Sequence, residues 1–222
     1  MTSTTPDLPV TTVLLVRHGE TAWNAERRLQ GHLDIALNGE GERQAAAVAR
    51  ALAGTPIDTI VSSDLQRASQ TAHAIAGLHQ LPVQIERDLR ERCYGGFEGL
   101  LYAEIEQRYP REFAKWQARE VDAVLPPGEN RGESFRAFYA RSTTAIMARA
   151  ARCPGQVIVL VAHGGVLECA YRHALGLSLD TPRTFSIPNA SINRFTVQGD
   201  KLTLISWGET GHLQQVAMDE LN

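Results

Sequence analysis

The stretch TTVLLVRHGETAWN, Thr11 to Asn24, decides the fold. Thr11 to Val16 is apolar or β-branched at odd and even positions alike, the pattern of a strand covered on both faces in a parallel sheet. It stops abruptly at Arg17, His18 and Gly19, after which the chain turns polar. QVIVLVA, Gln156 to Ala162, is a second run of the same kind, and it too ends in a histidine followed by glycines: His163, Gly164 and Gly165. Between the two runs, Asn38 stands as an N-cap before the helical GEGERQAAAVARALAG, which Gly54 and Pro56 stop. Asp58 to Val61 reads as a strand, Leu65 to Ala76 as a helix closed by Gly77, and Pro82 to Ile85 as another strand. This β-α-β-α-β order predicts an α/β fold, a three-layer α/β/α sandwich with a mainly parallel central sheet. Ser134 to Ala151 and Val166 to Leu175 read as helices. Ser191 to Val197 and Lys201 to Ser206 read as a closing hairpin about Gly199 and Asp200.

The segment from about 91 to 131 departs from this alternation. It is charged and aromatic (Tyr94, Phe97, Tyr102, Tyr109, Phe113, Trp116) and ends in the loop LPPGENRG. It predicts a helical insertion lying over one edge of the sheet as a cap. With 222 residues the chain is expected to form a single domain, residues 1–222, with residues 1–10 as a loose tail.

The net charge of −3 provides no global field for nucleic acid or an anionic membrane, so any attraction for anions must be local. No apolar run approaches the roughly 20 residues that cross a bilayer. Three cysteines, Cys93, Cys153 and Cys169, have no paired spacing, which predicts a reducing compartment and no disulfide framework or structural zinc. Together these features predict a soluble cytoplasmic protein without nucleic-acid or membrane partners.

In an open α/β sheet ligands bind beyond the carboxyl ends of the strands, so His18 and His163 are expected to face one crevice. DTIVSSD brings Ser62, Ser63 and Asp64 to the same rim and leads into a helix carrying Arg67 one turn in. LRERCYGGFEG brings Glu91. Two arginines, two histidines and one carboxylic acid suit phosphoryl transfer, in which positioned donors compensate the charge on the equatorial oxygens. His18 is the candidate nucleophile. It must be neutral to attack; Arg17 and Arg67 disfavour imidazolium, and a backbone acceptor on one ring nitrogen would leave the other free. Glu91 must hold a proton to release an alkoxide, a state that burial near Tyr94 and Phe97 favours and the arginines oppose.

These residues, in this order, resemble the histidine phosphatase superfamily, the phosphoglycerate-mutase-like proteins. The similarity is carried by Arg17-His18-Gly19-Glu20-Thr21 with Asn24 and Gln30-Gly31, LNGEGERQA, Ser62 to Ala68 with Thr71-Ala72, Leu89-Arg90-Glu91, and His163-Gly164-Gly165. It runs from about Val13 to Leu213. The resemblance implies that His18 is phosphorylated, that Arg17, Arg67 and His163 hold the phosphoryl oxygens, that Glu91 is acid then base, and that Asn24 and the Gly164 N–H help bind phosphate. Thr21, Gln30, Arg92 and Tyr94 are further candidates for binding phosphate or substrate. No metal and no cofactor are implied.

The family divides between enzymes that return the phosphoryl group to a sugar acid and enzymes that give it to water. Cofactor-dependent phosphoglycerate mutases resemble E-R-x-Y-G-x-L-x-G-L-N-K after the acid. This chain has ERCYGGFEGLLY, with Phe97-Glu98 and Leu101-Tyr102 at the diverging positions, and its insertion has Lys115 and Arg119 but no paired arginines. Such a wall holds a bisphosphoglycerate poorly, which favours hydrolysis of a small phosphorylated metabolite. Arg92 and Tyr94 support the mutase reading, which would need 2,3-bisphosphoglycerate as a primer. A metal hydrolase is disfavoured by the lack of ligand spacing, and a non-catalytic binding module by the retention of His18, Arg67 and Glu91 together. His32, His73, His79, His173 and His212 carry no chemistry legible here, and Trp23 reads as a packing residue. Ser191 to Val197 is a candidate sheet edge for a homodimer.

Overall fold

The computed structural model describes residues 8–214. Its six strands are β1 (Thr11–Arg17), β2 (Thr59–Ser62), β3 (Val83–Ile85), β4 (Val157–Ala162), β5 (Ile192–Gln198) and β6 (Lys201–Glu209). They form one mixed sheet in the order β3-β2-β4-β1-β5-β6. The first four in that order run parallel, and β5 and β6 are antiparallel additions beside β1. The helices are α1 (Ala22–Ala25), α2 (Gly39–Leu52), α3 (Gln66–His79), α4 (Tyr102–Arg108), α5 (Pro110–Gln117), α6 (Phe135–Ala151) and α7 (Gly164–Leu175). Of the expected tail, residues 1–7 lie outside the described residues, and Leu8 to Val10 are irregular and exposed.

Both faces of the central strands are covered, as their composition requires. Val13 and Leu15 pack with Ile158, Leu160, α6 and α7, while Leu14 and Val16 pack with Val159, Val161, α2 and α3. The segment 91–131 builds a third, smaller cluster of its own from Phe97, Ile105, Phe113 and Leu125, with Trp116 and Tyr109 packed against it.

The Asn38 cap stands where the sequence predicts it, and Ser134, read as the first residue of its helix, is that helix's N-cap. Asn38 accepts from the Gly41 N–H at 2.8 Å, and Ser134 accepts from the Ala137 N–H at 3.1 Å. Two expectations require correction. Helix α3 does not close at Gly77 but runs through it to His79, with Gln80 taking the left-handed cap (φ 56°). A single exposed glycine costs a helix only about 1 kcal/mol, and the helix closes beyond it where the Leu81 N–H turns back to Ala76 O at 3.4 Å. The segment around Ser191 to Val197 is not an edge, because β5 is paired with β1 on one side and β6 on the other; β6 is the outer strand.

The end of β1 is locked to α2 by backbone contact. A Cβ on Gly41 would lie 2.0 Å from the Glu20 carbonyl oxygen, and one on Gly19 would lie 2.4 Å from that of Gly41. The Gly19 N–H also donates to Thr71 Oγ1 on α3 at 3.1 Å. Gly41→Ala should therefore lower stability by about 1–3 kcal/mol, as overpacking does. Gly54→Ala, with nothing within 4 Å of its Cβ, should leave stability nearly unchanged. Urea unfolding midpoints measure both, and an unaltered midpoint for Gly41→Ala would contradict the contact.

Candidate active site

Strand register brings the two histidines together. β1 and β4 run parallel with Arg17 opposite Ala162, so the next residue on each strand, His18 and His163, leaves the sheet at the same level. Their rings lie 5.1 Å apart between centroids. Both are buried, and His18 lines a cavity of about 680 Å³ together with Arg17, Arg67, Glu91, Asn24, Gln30, Tyr94 and Gly164.

His18 Nδ1 lies 2.7 Å from the Gly19 carbonyl oxygen, an acceptor only, so Nδ1 carries the proton and Nε2 keeps its lone pair. The His18 pKa is driven well below its ordinary value, first by burial and then by Arg67 and Arg17, with the Gly19 bond opposing. His163 Nε2 lies 2.9 Å from Ser63 Oγ, and the same oxygen accepts from the Leu65 N–H at 3.4 Å. With the hydroxyl donating to the ring, His163 bears its proton on Nδ1. Its pKa is likewise driven well below the ordinary value by burial, then Arg67.

The arginines are held by carbonyls rather than carboxylates. Arg67 donates Nη2 to Gly31 O at 2.8 Å and Nη1 to Leu33 O at 3.0 Å, and Arg17 donates Nη1 to Ile187 O. Burial lowers both pKa values to about 10, leaving both guanidiniums charged at neutral pH. Three buried nitrogens, Arg17 Nε, Arg67 Nε and His163 Nδ1, have no hydrogen-bond partner among the described residues. A buried donor without a partner is costly, and an oxyanion next to His18 would supply one.

Glu91 reaches the same place from the loop after β3. Its Oε2 accepts from the Gly165 N–H at 3.0 Å in the first turn of α7, and its Oε1 accepts from the Arg92 N–H at 2.8 Å. A Cβ at position 165 would lie 2.1 Å from Glu91 Oε1 and 2.8 Å from the Phe138 ring, so glycine there lets the carboxyl sit where it does. The early N–H groups of α7 have no intrahelical partner and face the cavity beside Gly164, a setting that favours an anion. Asn24 Oδ1 accepts from the Thr21 N–H at 3.1 Å and from Asn189 Nδ2 at 3.3 Å.

The remaining candidates divide. Gln30 and Tyr94 stand on the cavity wall. Thr21 and Arg92 do not: Thr21 caps α1 and donates Oγ1 to Gln30 Oε1 at 3.1 Å, and Arg92 gives Nε and Nη2 to Glu133 O at 3.1 and 2.8 Å. Trp23, expected to be a packing residue, stands on the wall. His32, without legible chemistry, donates Nε2 to Glu91 O at 2.8 Å, while its own N–H goes to Glu98 Oε1 at 2.9 Å; it braces the loop whose carbonyls hold Arg67. Ser63, Glu98 and Asn189 are further supports. Only the rim placement of Ser63 was legible, because Glu98 and Asn189 act through partners as far as 66 and 171 residues away. Among the described residues no three His, Cys, Asp or Glu side chains converge as a metal would need, and no helix is long and apolar enough to cross a membrane.

Known proteins show the same pattern across the chain. The model of the histidine phosphatase superfamily (branch 1) matches residues 13–210. Phosphoglycerate mutase-like protein 4 of Arabidopsis thaliana is 40% identical over 212 residues, 94% of this chain and 90% of that protein. The metal-independent phosphoserine phosphatase of the same organism is 36% identical over 210 residues, 93% of this chain and 85% of that protein. Among solved structures, the phosphoserine phosphatase of Entamoeba histolytica in complex with 3-phosphoglyceric acid superposes with a TM-score of 0.80 at 28% identity, covering 91% of this chain and 99% of that one.

Because folding holds both imidazoles below their ordinary pKa, His18 should stay neutral and protonated on Nδ1 as pH falls through the range in which a free imidazole takes up its proton. Imidazole ¹⁵N shifts on histidine-labelled protein measure this. A His18 midpoint near the unperturbed value of about 6.5 would contradict it.

Proposed function

The chain belongs to branch 1 of the histidine phosphatase superfamily, and on that premise we propose that it hydrolyses a small phosphate monoester through a phosphohistidine at His18. The observation that carries this reading is that three buried nitrogens on residues around His18, namely Arg17 Nε and Arg67 Nε on the same cavity wall and Nδ1 of His163, whose ring lies 5.1 Å away, have no partner among the described residues. A phosphoryl group set there gains charge-assisted hydrogen bonds that strengthen as charge shifts onto its equatorial oxygens.

In the first step the Nε2 lone pair of His18 forms the N–P bond as the P–O bond to the leaving group breaks. Glu91 gives its proton to the departing oxygen. The phosphorylated ring becomes an imidazolium, and the Gly19 carbonyl stabilises it through Nδ1–H. In the second step water attacks phosphorus while Glu91 takes the water proton, the N–P bond breaks, and His18 returns to neutral. Arg17, Arg67 and His163 hold the oxygens throughout, with Asn24 and the Gly164 N–H beside them. No protein group changes its net protonation over the cycle.

Return of the phosphoryl group to a sugar acid is less favoured. Arg92, which had spoken for a mutase, is bound to Glu133 O away from the cavity, and Arg119 is paired with Glu168 at 2.6 Å. We read the chain as one catalytic domain with residues 91–131 shaping the leaving-group side. The free thiols of Cys93, Cys153 and Cys169 support a cytoplasmic location.

An acid quench of enzyme mixed with ³²P-labelled substrate should trap an acid-labile, alkali-stable label that His18→Ala abolishes together with turnover; activity surviving in that variant would refute the nucleophile. Arg67→Ala should reduce kcat by about 10²–10³, the scale for losing one preorganised donor, and a change below about threefold would contradict its role. Turnover should be unaffected by EDTA and inhibited by vanadate. Loss of activity on chelation, restored by a divalent ion, would overturn the metal-independent reading.

A further inference from the structure

Outside the phosphate-facing groups the cavity continues along a wall that carries Trp23, Tyr102 and four charged side chains, Arg27, Arg28, Glu168 and Arg183. These four differ in how far they are already engaged. Arg28 gives Nη1 to Gly99 O at 2.6 Å and pairs with Glu26 at 3.2 Å and Glu104 at 3.5 Å. Glu168, nearly buried, takes Arg119 Nη2 at 2.6 Å and Arg172 Nε at 2.9 Å on one oxygen. Two guanidiniums remain. Arg183 is 49% exposed and meets the other Glu168 oxygen only at 3.7 Å. The Arg27 side chain makes no hydrogen bond or ion pair with any described residue, and its backbone is held in the left-handed region (φ 59°), a strained conformation for a non-glycine residue.

The fold stations Arg183 deliberately. Buried Arg172 gives Nη1 to Ser178 O at 2.6 Å and Nη2 to Thr181 O at 2.7 Å, so α7 clamps the loop two residues before Arg183. Arg183 and Arg17 line the same cavity, so the Arg183 guanidinium stands on the wall that the inner pocket shares.

We propose that this wall is a second anion subsite in which Arg183, with Arg27, takes a carboxylate of the leaving group, so that the preferred substrates are phosphate monoesters of small organic acids. The substrate role rests on the hydrolase reading above; the binding site does not. Arg183 already shares a carboxylate loosely, and a guanidinium fork suits that group. When Arg183 moves to a ligand, Glu168 keeps Arg119 and Arg172, so no buried charge is uncovered.

The test is calorimetric binding to His18→Ala protein, in which chemistry is stopped. 3-Phosphoglycerate is compared with glycerol 3-phosphate, and phosphoserine with phosphoethanolamine; each pair keeps the ester and differs at the carboxylate. The acid of each pair should bind about 10- to 100-fold tighter, the range of a charged hydrogen bond. Adding Arg183→Leu should collapse that ratio to within about threefold, while Arg183→Lys keeps part of it by retaining the charge without the fork. A ratio near one in His18→Ala protein, or a ratio unchanged by Arg183→Leu, would overturn the subsite. Tighter Arg183-dependent binding of 1,3-propanediol bisphosphate than of either acid would overturn the carboxylate assignment. Turnover of p-nitrophenyl phosphate by the unmodified protein tests the hydrolase reading separately.

Discussion

The register of β1 on β4 is the constraint from which the site follows. Because both faces of β1 are apolar, the polarity of its side chains penalises a one-residue slip far less than in a half-wet strand. The strand's exit fixes the register instead. The His18 N–H donates to Ala162 O at 3.0 Å, the Ala190 N–H donates to His18 O at 3.1 Å, and Gly19 sits against the backbone of α2. A displacement of one residue would carry His18 to the far side of its pleat and separate it from His163.

Two clusters of arginine in this molecule show opposite electrostatic designs. Around Glu168, the buried carboxylate and its guanidiniums compensate each other, and the outcome is a clamp that fixes a loop. Around His18, neutral backbone dipoles hold Arg17 and Arg67, and the strongest opposing charge felt by each is Glu91. Carbonyls steady a guanidinium without cancelling its charge. Burial first, and then these two charges, keep both imidazoles uncharged, and the guanidiniums remain available to an incoming anion.

Much of this was legible because it is local. Two doubly buried strands ending in histidine, the Asn38 cap, and the loop delivering Glu91 are all written within a few residues. The sequence alone could not place side chains whose roles arise between distant segments. Thr21 and Arg92 have the chemistry to bind phosphate, yet each is turned into the scaffold by a neighbour, Gln30 in one case and Glu133 in the other. His32 looked idle because its partner is a backbone carbonyl, which no side-chain pattern reveals. β5 resembled an edge because alternation along a strand does not record how many neighbours it has.

The small hydrophobic cluster of residues 91–131 shares no buried member with the two that flank the sheet. Its buried side chains, Phe97, Ile105, Phe113 and Leu125, pack with one another apart from the layers that carry the histidines, although Val121 of the same segment leans on one of those layers. A lineage could in this way remodel what the pocket accepts while the bond-breaking apparatus stays untouched, and selection on diet and selection on chemistry would operate on separate parts of one chain.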